Sequence, residues 1–396
     1  MNDIERVLSW FDSGVLLRPD AKVPTTVHLA RALAKLAGAD LSLDGPACQI
    51  AAAIGEAEHV VFVMADGLGM NLLESRPHGS TLRRQLAMEM RSVFPSSTAP
   101  ALTSLATGMW PAQHALTGWH VYLPEQQKQI TALPFVERFS GRTATGVGVS
   151  AKTLFQSPVL ASKLKRDSKT YMPRRIADSV YSRYVQGGRA AEPYDKLREG
   201  IDAVVARVKA TAGPTYTYLY HPNIDSAEHE HGPVSWQTTM EVGRLEQAVE
   251  RLVKGLAGAA RVVVSADHGQ FDVDPTKKLF IQPNDEISEL LLTPPSGEGL
   301  TPIFHCRPGA ADEFARRFRV RFGRHFALLT LDEVQALQLM GPGTLSAETR
   351  ARLGDYIGLS SRGEVLLYAP DKEVAALKGF HGGLSPTEVR IPLILA

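Results

Sequence analysis

Six side chains able to ligate a metal ion occur in four separated segments: Asp66 in MADGLG, Asp225 and His229 in NIDSAEHEH, Asp267 and His268 in VSADHGQ, and His381 in GFHGG. Asp225 and His229 are four residues apart, so a helical turn would present both on one face. Neighbours within a strand point to opposite faces, so Asp267 and His268 share a ligand only where the strand has ended, which Gly269 permits. Three carboxylates and three imidazoles make a mixed oxygen and nitrogen set suited to two divalent cations, with zinc the best match. Taken singly, each residue has a plainer reading: Asp66 as a strand-to-helix cap, Asp225 as a helix N-cap, His381 as a surface turn residue. Ser96, Ser97 and Thr98 supply hydroxyls in a row, ahead of an apolar helical stretch whose first turn any of them would cap. A helix start also attracts anions through its free N–H groups.

These residues sit where strands end. HVVFVMAD (59–66) is Val-rich and continuously apolar, as suits a strand buried on both faces of a parallel sheet. ATGVGVS (144–150), PTYTYLYH (214–221) and ARVVVSAD (260–267) are further strand-like runs. They alternate with amphipathic helical patterns such as Val242 to Leu256, which indicates an α/β sandwich. Ligand sites in open α/β sheets lie beyond the carboxyl ends of strands, where Asp66, Asp225 and Asp267 fall. Residues 1–57 predict two helical stretches, Ile4 to Phe11 and Val27 to Leu36, followed by the polar, Gly/Pro-marked LSLDGPA. Residues 150–192 are basic and broken by Pro and Gly, predicting a solvated loop or helical cap. Residues 280–378 mix short helices and strands and read as a subdomain inserted into a single catalytic domain spanning 1–396.

In order and local context, the segments resemble the alkaline phosphatase superfamily, most closely its nucleotide pyrophosphatase/phosphodiesterase branch. The resemblance covers Val60 to Gly118, Tyr216 to Gly232, Val262 to Gly269, and Gly379 onward. It implies a three-layer α/β/α sandwich with a mostly parallel central sheet and a smaller inserted cap region. It also implies that Asp66, Asp267 and His268 hold one metal together with the nucleophile, while Asp225, His229 and His381 hold the other. VFPSSTAPALTSLATGMWPAQHALTG matches the family's nucleophile segment, and aligning its Thr-Gly pair at Thr107 and Gly108 selects Thr98 over Ser97. His114 matches a position that supports the fold. Where this branch usually carries an Asn that donates to a phosphoryl oxygen, the chain has Trp119. A backbone N–H, Lys152 or His120 is then the expected replacement. His231 and Glu230 read as solvent-facing, and His305 beside Cys306 as core.

Composition narrows the partners. Lys plus Arg number 43 against 42 Asp plus Glu, so no global field draws the chain to nucleic acid or an anionic membrane surface. No run reaches the ~18 apolar residues of a spanning helix. The start, MNDIERVLSWFDSG, lacks the basic and apolar regions of a secretory signal, and two cysteines are too few for a disulfide framework. The expectation is a cytoplasmic protein acting on a small-molecule phosphate ester or nucleotide, with neither a nucleic acid polymer nor a membrane as partner. The expected chemistry is phosphodiester or nucleotide pyrophosphate hydrolysis through a phospho-threonine at a two-zinc site. Trp119 keeps open a phosphomonoesterase or phosphonate hydrolase, and a metal-stabilised binding protein without turnover is the reading from another class.

Overall fold

The computed structural model describes residues 2–396. Its centre is a seven-stranded sheet. In chain order the strands are β1 (His59–Ala65), β2 (Leu86–Arg91), β3 (Asp167–Pro173), β4 (Glu192–Tyr194), β5 (Thr215–His221), β6 (Ala260–Ser265) and β7 (Arg390–Leu395). Their spatial order is β2-β7-β6-β1-β5-β3-β4. Both neighbours of β1 run parallel to it, whereas β7 lies antiparallel between β2 and β6. All seven residues of β1 are buried, as its unbroken run of apolar and β-branched side chains requires. Helices Thr26–Leu36, Gly45–Ile54 and Thr98–Thr107 form one covering group. Helices Leu197–Ala210 and Trp236–Leu256 form another, and the latter buries Val242, Leu245, Val249, Leu252 and Leu256 along one stripe. The α/β layering with a mostly parallel sheet is therefore present.

Register brings the chemistry to one edge. Ala65 lies opposite His221, and Met64 opposite Ser265, so β1, β5 and β6 end together. A short antiparallel pair joins Phe271–Asp272 to Gly379–Phe380 and pins the GFHGG segment beside the end of β6.

Three local expectations need correction. ATGVGVS forms no strand: it holds the 3-10 turn Thr145–Val147, which closes on Gly148 at φ 85°. Residues 150–192 are not merely a loop or cap, because they contribute β3 and the start of β4 to the main sheet. The sequence of β3, DSKTYMP, is polar, and only Tyr171 and Met172 are buried in it. DGPA, read as a polar connector, starts the helix Gly45–Ile54, with the Asp44 side chain accepting from the Ala47 N–H at 3.0 Å.

Residues 280–378 are not self-contained. Their strands Ser296–Gly297, Pro302–Phe304, Phe326–Thr330 and Tyr356–Ser360 build a second, antiparallel seven-stranded sheet with His120–Leu123, Lys128–Thr131 and Val136–Glu137. Helix Ala311–Phe322 stacks Phe314, Phe318 and Phe322 against Phe304 and Phe326 beneath this sheet. The hairpin joining Ser296–Gly297 to Pro302–Phe304 reaches the hydroxyl-bearing segment at Ser97. Gly118 and Gly297 pass so closely there that a Cβ on Gly118 would lie 2.7 Å from the Gly297 Cα.

Candidate active site

Asp66 leaves β1 with its N–H donating to the His221 carbonyl at 3.0 Å, and its own carbonyl accepts from the Asp225 N–H at 3.1 Å. The chain then turns at Gly67 (φ 82°), whose N–H donates to Asp267 Oδ1 at 3.1 Å. Helix Asn223–His231 carries Asp225 and His229 on one face, as their spacing predicts. Beyond β6, Asp267 Oδ1 also accepts from the His268 backbone N–H at 3.1 Å, fixing the Asp267 carboxylate past the strand's end.

The six side chains converge. His268 Nε2 lies 3.4 Å from Asp267 Oδ2 and 3.6 Å from Asp66 Oδ1. Asp225 Oδ1 lies 3.3 Å from His229 Nε2 and 3.8 Å from His381 Nε2, and the two imidazole nitrogens are 3.2 Å apart. The His268 and His381 rings stack at 3.8 Å between the two groups. His229 Nδ1 is held by the Gly379 carbonyl at 2.8 Å, which aims Nε2 inward. Asp225, His268 and His381 also offer atoms within 4.8 Å of one another, so the groups adjoin through the stacked rings.

Burial makes this cluster costly without cations. Asp66 and Asp267 are 2% and 0% exposed, and Asp66 Oδ1 and Asp267 Oδ2 have no hydrogen-bond partner among the described residues. Desolvation, then the charges of Asp267 and Asp225, hold the Asp66 carboxyl well above the ordinary range. Burial, with His268 and His229 alongside, depresses His381 well below the usual histidine value, leaving neutral imidazole of the kind that ligates metal. Orphaned carboxylate oxygens beside the neutral His381 imidazole are donors of the kind that divalent cations take.

Three neighbouring hydroxyls have three destinations. Thr98 begins helix Thr98–Thr107 and places Oγ1 3.1 Å from His268 Nε2. Ser97 Oγ donates to Glu298 Oε1, and Ser96 Oγ donates to the Gly383 carbonyl at 2.8 Å. Thr98 and the cluster open onto a cavity of about 890 Å³. Its lining includes the alternate residues Tyr216, Tyr218 and Tyr220 of β5 and the apolar side chains Leu102, Leu105 and Leu160.

The replacements expected for the missing Asn fare differently. Trp119 and His120 line the cavity, with His120 Nδ1 bound to Thr131 Oγ1 at 3.1 Å and its ring kept neutral by burial and by Arg138. Lys152 is exposed on helix Ala151–Leu154 and lies outside the cavity wall. Arg352 holds the Thr153 and Leu154 carbonyls at 2.8 and 3.1 Å, leaving Lys152 on the outer side. The Trp119 N–H does donate, at 2.6 Å, but to Glu298 Oε1. His114 binds Ser104 Oγ at 2.9 Å in the interior, and His305 packs on Tyr122. His231 stands 3.6 Å from the exposed Glu230.

Several site groups lack a local sequence signal. The Tyr220 hydroxyl donates to Asp66 Oδ2, and Gln270 Nε2 donates to Asp225 Oδ1 and to its carbonyl. Glu228 is wholly buried, and burial beside Asp225, Asp267 and Asp272 drives its carboxyl far up. Glu298 sits between two glycines in PSGEGL, a turn signature that says nothing of its destination. Burial pushes its carboxyl up to about 7, against the pull of Ser97, the Trp119 N–H and Arg138.

Comparison with known proteins gives the family of the chain. The family described as "Type I phosphodiesterase / nucleotide pyrophosphatase" matches residues 60–383. Rat ectonucleotide pyrophosphatase/phosphodiesterase family member 3 is 23% identical over 185 residues, 46% of this chain and 20% of that protein. Human family member 1 is 23% identical over 199 residues, 48% and 20% of the respective lengths. The matched region thus spans about a fifth of the length of these curated relatives. Human ectonucleotide pyrophosphatase/phosphodiesterase 5 shares the fold at a TM-score of 0.64 and 14% identity, over 85% of this chain and 87% of that one. The murine protein, in an inactive form in complex with AMP, superimposes at a TM-score of 0.63 and 15% identity, over 84% and 87%. The chain belongs to the type I phosphodiesterase/nucleotide pyrophosphatase family, within the alkaline phosphatase superfamily that its motifs resemble.

Proposed function

We propose that this chain hydrolyses phosphodiester or nucleotide pyrophosphate bonds, with Thr98 as nucleophile. The observation that carries the reading is the placing of one hydroxyl, at a helix start, against a converging set of three carboxylates and three imidazoles. Asp66, Asp267, His268 and the Thr98 oxygen would hold one divalent cation, and Asp225, His229 and His381 the other, with zinc matching the donors best. Cations bound there supply Lewis acidity to the attacking and departing oxygens.

The protein's own part is positional. Thr98 Oγ1 bonds to phosphorus as the ester oxygen leaves on the opposite side, and water then cleaves the bond to Thr98 and restores the hydroxyl. At the start of helix Thr98–Thr107 Pro100 has no N–H and the Ala101 N–H donates to the Ser97 carbonyl, so the Thr98 and Ala99 N–H groups are the ones left to meet a phosphoryl oxygen. The apolar chamber beside Thr98 accommodates an organic group on the phosphorus, which favours a diester or a nucleotide over a small monoester. The AMP bound by the murine relative is a nucleoside monophosphate, the kind of product that nucleotide pyrophosphate hydrolysis releases.

The test compares hydrolysis of bis(p-nitrophenyl) phosphate, p-nitrophenyl phosphate and phosphonoacetate, with and without added zinc. Diester turnover should lead. A monoester preference of about tenfold, equivalent to ~1.4 kcal/mol, would reverse the assignment.

A further inference from the structure

Besides Asp66 and Asp225, two acids line the cavity: Asp371, paired with Arg138, and Glu298, which has no ion-pair partner among the described residues. Glu298 Oε1 takes both available donors, Ser97 Oγ and the Trp119 N–H, while its other oxygen is left to the cavity. Ser97 is fully buried and immediately precedes Thr98. The loop bearing Glu298 has little freedom to withdraw. Thr301 Oγ1 ties it to the Gly382 carbonyl at 3.0 Å, and a Cβ on Gly382 would lie 2.8 Å from Glu298 Cβ. A carboxyl group is thus anchored beside the nucleophile, in the corner where a phosphoryl oxygen would seek its donors.

A fixed negative charge there acts unequally on substrates. The phosphoryl group of a diester carries one charge and that of a monoester two at alkaline pH, so the repulsion is about twice as large for the monoester. We propose that Glu298 is a specificity-determining residue, which admits singly charged phosphoryl groups and disfavours doubly charged ones. This rests on the phosphoester hydrolase reading above, and it gives the cavity a preference by charge in addition to its preference by shape.

The test uses the full chain, zinc-replete, at about pH 9, where a carboxyl of this kind is ionised. Glu298→Gln keeps the shape and an acceptor while removing the charge. The ratio of monoester to diester kcat/KM should rise at least tenfold, and inorganic phosphate should bind at least tenfold more tightly. Affinity for dimethyl phosphate should change far less. Glu298→Ala should move both ratios the same way. An unchanged ratio, or an equal loss on both esters, overturns the proposal. If neither ester is turned over, the hydrolase reading fails, and the two binding constants still report on Glu298.

Discussion

Thr98 is singled out from Ser96 and Ser97 by where each hydroxyl goes, and that difference sets the first expectation. Thr98→Ala should abolish turnover while zinc remains bound through the six side-chain ligands. Ser97→Ala removes one hydrogen bond to Glu298, worth about 0.5–1.5 kcal/mol, or up to roughly tenfold in rate. Mass-spectrometric mapping of a trapped phosphoryl adduct checks the assignment, and an adduct on Ser97 contradicts it. Tyr220 orients Asp66 from outside the ligand set. Tyr220→Phe should weaken metal binding about tenfold to a hundredfold, read by chelator competition, because removing such a support frees the ligand to turn away. Asp66, Asp267, His268 and His381 were legible because each stands beside a strand end or glycine turn with a distinctive local context. Tyr220 was not, since its partner is 154 residues away, and Glu298 lies 201 residues from Ser97. Lys152 is kept out of the cavity by the docking of residues 153–154 onto Arg352, a contact across 198 and 199 residues of sequence that no local pattern announces.

Among the elements, the turn at Gly67 is the joint on which β1 delivers Asp66. Its φ of 82° suits glycine, and a Cβ would meet Glu228 Oε2 at 2.5 Å and the Asp225 Cα at 2.8 Å. Gly67→Ala should destabilise the fold by more than about 1 kcal/mol and reduce bound metal, since relief of the clash must move the Asp225 helix. Gly79, where an added Cβ would meet nothing within 4 Å, is the control: Gly79→Ala should stay within about 0.5 kcal/mol by denaturant titration. Strands β1 and β6 were readable because burial enforces apolar runs, and β5 because its alternation of Thr with Tyr has the period of a strand. Strand β3 escaped because most of it is only partly covered, so Asp167, Ser168 and Lys169 obscure the pattern. The second sheet escaped because its strands come from 120–137 and 296–360, a pairing that no local period announces.

For the molecule as a whole, Asp66 and Asp267 are buried with carboxylate oxygens left unpartnered, so cations bound at this cluster should stabilise the fold. Chelation should lower the thermal midpoint by several degrees, and added zinc should restore it in proportion to the logarithm of its concentration. A midpoint indifferent to both would argue against metal at this cluster. The placement of β7 has a different outcome. It is an interior strand, inserted between β2 and β6, yet it is formed by residues 390–395. On the ribosome, β2 and β6 therefore wait for each other with unsatisfied edges until those residues emerge, long after every other strand of the sheet has been made. Such an intermediate exposes strand edges to foreign pairing, and closing the gap demands contacts between distant parts of the chain, which form slowly. Yield on expression should accordingly depend on synthesis rate and chaperone supply more than on the stability of the finished fold.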